Sequence, residues 1–210
     1  KKIIIREITG AFPKNIISTY TEEFYLYNRS NIGIIEKESK KIDLKYILVV
    51  LNSTLMSYYF MKNTAKSVRK LFPKIILNDL RKFPFKEISL QEQQPFIEKA
   101  DKMLALNKKL QEISQKFQRM ITREFGLEKI STKLQNWYLL NFDEFIKELS
   151  KVKVKLSLSQ KADWEDYFIA EKSKAETLDN EIEMMDKEID GMVYELYGLS
   201  EEEIRVVEKN

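Results

Sequence analysis

The stretch Met103–Met120 reads MLALNKKLQEISQKFQRM, and Ala175–Leu196 reads AETLDNEIEMMDKEIDGMVYEL. In the first, Met103, Leu106, Leu110, Ile113, Phe117 and Met120 recur at intervals of three and four. In the second, Ala175, Leu178, Ile182, Met185, Ile189, Met192 and Leu196 do the same, with Phe168 one heptad upstream. Apolar residues at this spacing form one stripe on a helix, and two such stripes bury each other in coiled-coil packing. Two matched seams in one chain need no outside partner. They predict an antiparallel helical arm, about 40 Å long at 1.5 Å per residue. Pairing of a seam with another chain is the alternative.

Working outward from the seams, no strong breaker lies between Pro95 and Gly126, and Leu90–Gln94 reads as a linker feeding the first long helix. Between the long helices, Ile130–Leu149 reads as one or two short helices rich in aromatics, Trp137, Tyr138, Phe142 and Phe145 among them. Val152–Ser159 alternates apolar and polar residues, which suits a strand or an extended approach to a helix capped at Ser159. Gly198 stands where a long helix ends, and Ser200 with Glu203 makes a capping box for a last short helix.

The first part of the chain has a different texture. Ile3-Ile4-Ile5, Ile16–Tyr20, Phe24–Tyr27 and Ile32–Ile35 are short β-branched or aromatic runs, separated by Thr9-Gly10-Ala11-Phe12-Pro13 and Asn28-Arg29-Ser30-Asn31. Asp43 is placed as a helix N-cap. Tyr46, Ile47, Val50, Leu51, Leu55, Tyr58 and Tyr59 then keep helical spacing, predicting one helix from Leu44 to about Met61. The fold class is therefore α+β. A small mixed α/β domain occupies residues 1–90, and residues 91–210 form a helical domain with long helices over about 95–122 and 160–197.

The 210 residues are 43% hydrophobic and 33% charged, with 5 Gly and 4 Pro, which suits a helix-rich globular chain. There is no Cys and no His. That excludes thiol nucleophiles, disulfides, Cys/His zinc sites and imidazole bases. The lack of Cys fits a cytoplasmic home. The longest apolar run, Tyr46–Leu51, falls far short of the ~20 residues that span a bilayer. The chain starts at Lys1 with no signal pattern and reads as a fragment of a larger protein.

Catalytic motifs are missing too. The sequence has no Gly-rich phosphate loop and no Asn/Asp-Pro-Pro-aromatic tetrapeptide of the amino-methyltransferase kind. Asp43-Leu44-Lys45 with Glu22 and Glu23 is a poor match to a metal-dependent nuclease site, because Asp43 already serves as a cap. No catalytic residue, metal or cofactor is assigned to this fragment.

Charge is more informative. Residues 1–90 hold 17 Lys and Arg against 8 Asp and Glu, a net +9. Residues 91–155 carry +4 and residues 156–210 carry −10. Between Lys62 and Lys86 the cations Lys62, Lys66, Arg69, Lys70, Lys74, Arg81, Lys82 and Lys86 face one acid, Asp79. Pro73 and Pro84 keep this stretch from being one helix. Such cations neutralise phosphates, and interleaved Asn63, Thr64, Ser67 and Asn78 can bond phosphates or base edges. A solvated basic loop is the bland alternative. Tyr58, Tyr59 and Phe60 fit the core better than a stacking platform.

Three blocks then carry a family resemblance. Tyr46–Phe60, with Leu51-Asn52-Ser53-Thr54-Leu55, resembles a helix of target-recognition domains in restriction–modification proteins. Leu80–Ile97, with Phe83-Pro84 and Gln93-Gln94, resembles the junction from such a domain into its long helix. Ile189–Ile204 resembles the tail of fused DNA adenine methyltransferases. Together they resemble the TaqI-like C-terminal specificity domain of type IIG-like enzymes and phage-defence methyltransferases. The same blocks are similar to type I specificity subunits.

The resemblance implies a module that reads double-stranded DNA for a methyltransferase catalytic domain in the same parent chain, with no membrane role. The parent would use S-adenosylmethionine, and magnesium where it also cuts, and would methylate adenine. The expected DNA contacts are Lys62, Lys66, Arg69, Lys70, Lys74, Arg81 and Lys82. Arg6, Lys14 and Arg29 on the strand-rich part are further candidates. Asn52 and Ser53 are marked by the resemblance, with helix capping or packing as their alternative role. A helical protein-interaction domain with an incidental basic loop is the main rival, and a fragment of an RNA-binding enzyme the second.

Overall fold

The computed structural model describes residues 1–24, 26–36, 41–64 and 74–209. They form two compact units, Lys1–Leu104 with Met185–Asn210, and Ala105–Met184. These units cut across a boundary at residue 90, because two long helices each supply residues to both.

The first unit is built on a three-stranded sheet of order β2-β1-β3, with β1 at Lys2–Arg6, β2 at Ser18–Thr21 and β3 at Asn31–Ile35. Both edge strands run antiparallel to β1. Opposite residues share a face, so Ile3 and Ile5 lie with Tyr20, Ser18, Ile34 and Ile32 toward the core. Lys2, Ile4 and Arg6 lie on the other face. The run Phe24–Tyr27 forms no strand at its described residues. Phe24, Leu26 and Tyr27 are exposed, so no buried face rewards extension.

Helices α1 (Leu44–Leu51) and α2 (Thr54–Asn63) replace the single predicted helix. Asp43 caps α1, its carboxylate accepting from Lys45 N–H at 2.6 Å. The chain then turns at Asn52 and Ser53. Ser53 is extended (φ −70°, ψ 156°) and its hydroxyl caps α2 by accepting from Met56 N–H. Tyr46, Val50, Leu51, Met56 and Phe60 have almost no exposure and meet Ile3, Ile5, Ile75, Ala100 and Val193 in one core. A one-turn helix, α3 (Leu77–Leu80), follows the undescribed residues 65–73.

The first long helix, α4, spans Leu90–Glu124 and so absorbs the expected linker. Ser89 and Glu92 cap it reciprocally: Glu92 N–H donates to Ser89 Oγ at 3.2 Å and Ser89 N–H to Glu92 Oε2 at 2.8 Å. Pro95, inside the helix, lacks the N–H that would bond the Gln91 carbonyl. The second, α7, spans Leu158–Tyr197. Ser157, two residues before the predicted cap, starts it, pairing with Gln160 in the same reciprocal way. Val152–Ser157 is not a strand. The helix α8 (Glu201–Glu208) begins at the expected Ser200–Glu203 capping box, and Gly198 has φ 70° at the end of α7. Within the first unit, Ala100 of α4 and Ile189 and Val193 of α7 enter the same core, and Lys99 pairs with Glu188.

The second unit packs α4 and α7 around α5 (Thr132–Gln135), a 3₁₀ turn (Trp137–Leu139) and α6 (Phe142–Lys151). The two long helices are antiparallel here: Phe117 meets Phe168 and Phe125 meets Trp164, at centroid distances of 6.0 and 4.9 Å. Trp137 stacks on Phe117 at 3.7 Å. Of the heptad positions in this unit, Leu110, Phe117, Phe168 and Ala175 are buried, Ile113, Leu178 and Ile182 pack partly buried against them, and an aromatic layer is added. Glu148 is nearly buried. Its bonds to Lys151, at 2.6 Å, and to Ser131, at 3.1 Å, hold its carboxyl below the usual range.

Candidate nucleic-acid interface

Three of the expected DNA contacts, Lys66, Arg69 and Lys70, lie outside the described residues. The others fall into distinct settings. Lys62, Arg81 and Lys82 are exposed. Tyr59, one turn before Lys62, donates its hydroxyl to the Lys82 carbonyl at 3.1 Å and packs edge-on against Phe83 at 5.7 Å. The Lys62 ammonium rests 5.3 Å from the Tyr58 ring centroid. No carboxylate among the described residues pairs with Lys62, Arg81 or Lys82. Tyr58 and Tyr59 are thus half-buried supports for cations.

A second group surrounds the end of the sheet. Arg6 is exposed at the end of β1, with Nε donating to the Ile8 carbonyl at 2.8 Å. Its strand partner is Asn31, and the exposed Arg29 precedes Asn31 by two residues. Lys74 is brought to the same end by a bridge to Ile8, and its ammonium pairs with Glu7 at 3.0 Å. That pairing neutralises part of its charge.

Lys14 is held in a different way. Its ammonium lies 3.0 Å from Asp190 and 3.5 Å from Asp186 of α7. Asp190 also accepts from Thr54, from its N–H at 2.8 Å and its hydroxyl at 2.6 Å. A carboxylate therefore sits at the N-terminus of α2, where the unpaired N–H groups favour negative charge.

Asn52 and Ser53 are committed to the fold. Asn52 Oδ1 accepts from Ser18 N–H at 3.1 Å and Ser18 Oγ at 2.7 Å, while Nδ2 donates to the Ser18 carbonyl at 3.0 Å. This clamps the α1–α2 turn to β2. Ser53 is buried and donates to the Val50 carbonyl at 2.7 Å. The resemblance thus marks a scaffold here. The same is true of Gln93, which has no exposure. It accepts from Asp43 N–H at 2.8 Å and donates to the carbonyls of Lys41 and Ile88, each at 3.0 Å. Its amide ties the start of α4 to the start of α1.

Sequence reasoning missed Asp190 and Gln93 as organising residues, since their partners lie far away in the chain. It also missed three exposed apolar side chains, Phe24, Leu26 and Ile35. The signal available was a hydrophobic run lacking strand alternation, between an acidic pair and a turn.

No helix among the described residues is long and apolar enough to cross a membrane. No group of three or more Asp or Glu among them is placed to hold a metal ion. Residues 1–85 match the TaqI-like C-terminal specificity domain, and residues 89–193 match a domain of unknown function, DUF8810. No curated protein and no solved structure matches the chain.

Proposed function

We propose, since the chain belongs over residues 1–85 to the TaqI-like C-terminal specificity domains and over residues 89–193 to DUF8810, that it recognises a DNA site on behalf of a catalytic domain elsewhere in its parent. The specificity-domain family supports a DNA-recognition role in restriction–modification and no catalysis by this domain itself. Our finer reading is a cytoplasmic, site-specific DNA adenine methyltransferase of the type IIG-like or phage-defence kind. Its catalytic domain would use S-adenosylmethionine.

The observation that carries the reading is that Lys62, Arg81 and Lys82 are exposed and without a carboxylate partner among the described residues, on two segments joined by the Tyr59 hydroxyl to the Lys82 carbonyl. Unpaired cations on a rigid support release counterions when they meet phosphates, and that drives affinity for duplex DNA. Arg6 and Arg29 extend the same chemistry to the sheet end. Phosphate contacts set register, and sequence is read by side chains reaching base edges between them. The fixed clamps at Asn52 and Gln93 would hold those side chains in place.

The test is selection from a randomised duplex pool on the immobilised chain at two salt concentrations. The expected result is a short enriched motif that persists at the higher salt. Arg81→Glu with Lys82→Glu should weaken duplex binding and lower the salt dependence of log K by about 2, one unit for each lost phosphate contact. Unselective retention that vanishes with salt, or none, would refute a specificity role.

A further inference from the structure

Within the second unit, α4 carries a basic face. Lys108, Glu112, Lys116, Arg119 and Arg123 follow one another at intervals of four, four, three and four, with Lys109 beside them. That spacing keeps them on one side of the helix. Leu110, Phe117 and Ile121 turn to the aromatic core instead. All five cations are exposed, and Glu112 is the one acid between Lys108 and Arg123. At 1.5 Å per residue the stripe is about 22 Å long.

These cations do nothing for the fold. No carboxylate among the described residues forms an ion pair with any of the five, although α7 runs antiparallel to α4 here and exposes Glu181 and Glu183. Lys116, Arg119 and Arg123 stand three and four residues apart, where like charges destabilise a helix. A groove of about 450 Å³ opens along the same helix. Gln111, Ser114, Gln115 and Gln118 line it from α4, facing Gln135 and Asn136, and it contains no charged side chain.

We propose that this face of α4 grips the sugar–phosphate backbone of duplex DNA. This rests on the DNA-recognition reading above and adds to it a contact that reads no sequence. A duplex suits both components of the face. Its phosphates release counterions to unpaired cations, and side-chain amides bond phosphate oxygens where no carboxylate repels them. At 3.4 Å per base pair the stripe matches about six steps of one strand. Base discrimination stays with the first unit. The contact lies within the residues that match DUF8810, and it gives them a part in holding the duplex.

The test uses the 210-residue chain and three double variants: Lys116→Gln with Arg119→Gln on the stripe, Lys147→Gln with Lys155→Gln as an equal change of charge elsewhere in the unit, and Arg81→Glu with Lys82→Glu. Gln keeps the helix propensity of Lys and Arg, so native circular dichroism should persist. The probe is the duplex enriched by selection, or a random-sequence duplex where none is enriched. The stripe variant should lower the salt dependence of log K by about 2 and leave the selected motif unchanged. The Lys147 and Lys155 variant should keep the wild-type slope. In the wild-type chain, duplex should slow acetylation of Lys108, Lys109 and Lys116 several-fold, read by mass spectrometry, and leave Lys147 and Lys155 unaffected.

A wild-type slope in the stripe variant, or no protection of its lysines, would overturn the grip. Equal losses in the stripe and the Lys147 and Lys155 variants would overturn it too, since net charge alone would then be acting. If the stripe fails while the Arg81 and Lys82 variant binds more weakly, recognition stands without it. No duplex binding by the wild-type chain refutes both. Protection of the stripe by polyglutamate and not by duplex would assign the face to an acidic protein, and also overturns the proposal.

Discussion

Tyr46 shows how one buried polar atom contributes to this fold. Its ring lies in the core, edge-on to Phe96 at 5.4 Å, and its hydroxyl donates to the Lys86 carbonyl at 2.7 Å. Burial pushes the phenol up to about 12, from the 10.0 of an exposed tyrosine. The folded chain therefore keeps a proton that the unfolded chain loses between those values. The associated stability is complete below pH 10 and disappears as pH rises toward 12. Tyr46→Phe should cost ~1 kcal/mol at neutral pH through the lost hydrogen bond. It should also flatten the alkaline decline across that interval, measured by urea denaturation at a series of pH values. Equal slopes for the two chains would contradict the role given to this phenol. Gln93 makes the complementary point: a buried amide is tolerated because both its oxygen and its nitrogen find backbone partners.

At the scale of elements, Asp190 joins α7 to the N-terminus of α2 and to Lys14. Asp190→Ala should destabilise the first unit by ~2 kcal/mol, since a helix N-terminus and an ammonium lose their anion together. Asp190→Asn should recover part of that loss, because an amide oxygen still accepts from Thr54. Urea midpoints of the three chains would decide it, and equal losses for Ala and Asn would deny the hydrogen-bond share. Caps were legible where they are local: Asp43, Gly198 and Ser200 act on groups within a few residues. Ser89 and Ser157 had the same Ser-x-x-Glu or Ser-x-x-Gln signal, so both long helices start earlier than the apolar spacing indicated. The break between α1 and α2 was not legible, because Asn52 is held by Ser18, distant in the chain.

At the scale of the molecule, each unit has its own core, and the tryptophans Trp137 and Trp164 both belong to the second. Phe117 is fully buried there, stacked on Trp137 and against Phe145 and Phe168. Phe117→Ala should cost ~3–5 kcal/mol and lower the midpoint of unfolding followed by tryptophan fluorescence. Selective duplex retention, a property we assign to the first unit, should survive wherever the variant remains folded. Loss of retention in the folded variant would move recognition to the second unit.

The amino-acid sequence by itself determined the α+β class, the strand-rich start, the two heptad helices and the exclusion of Cys and His chemistry. Those follow from composition and from periodicities of two and 3.6, which each segment expresses locally. Tertiary structure decided which cations stay free and which are consumed. Lys14 and Lys74 meet carboxylates that the chain order keeps far off, whereas Arg81 and Lys82 meet none among the described residues. It also left Phe24 and Leu26 exposed, since burial depends on partners outside the run and not on its apolar character.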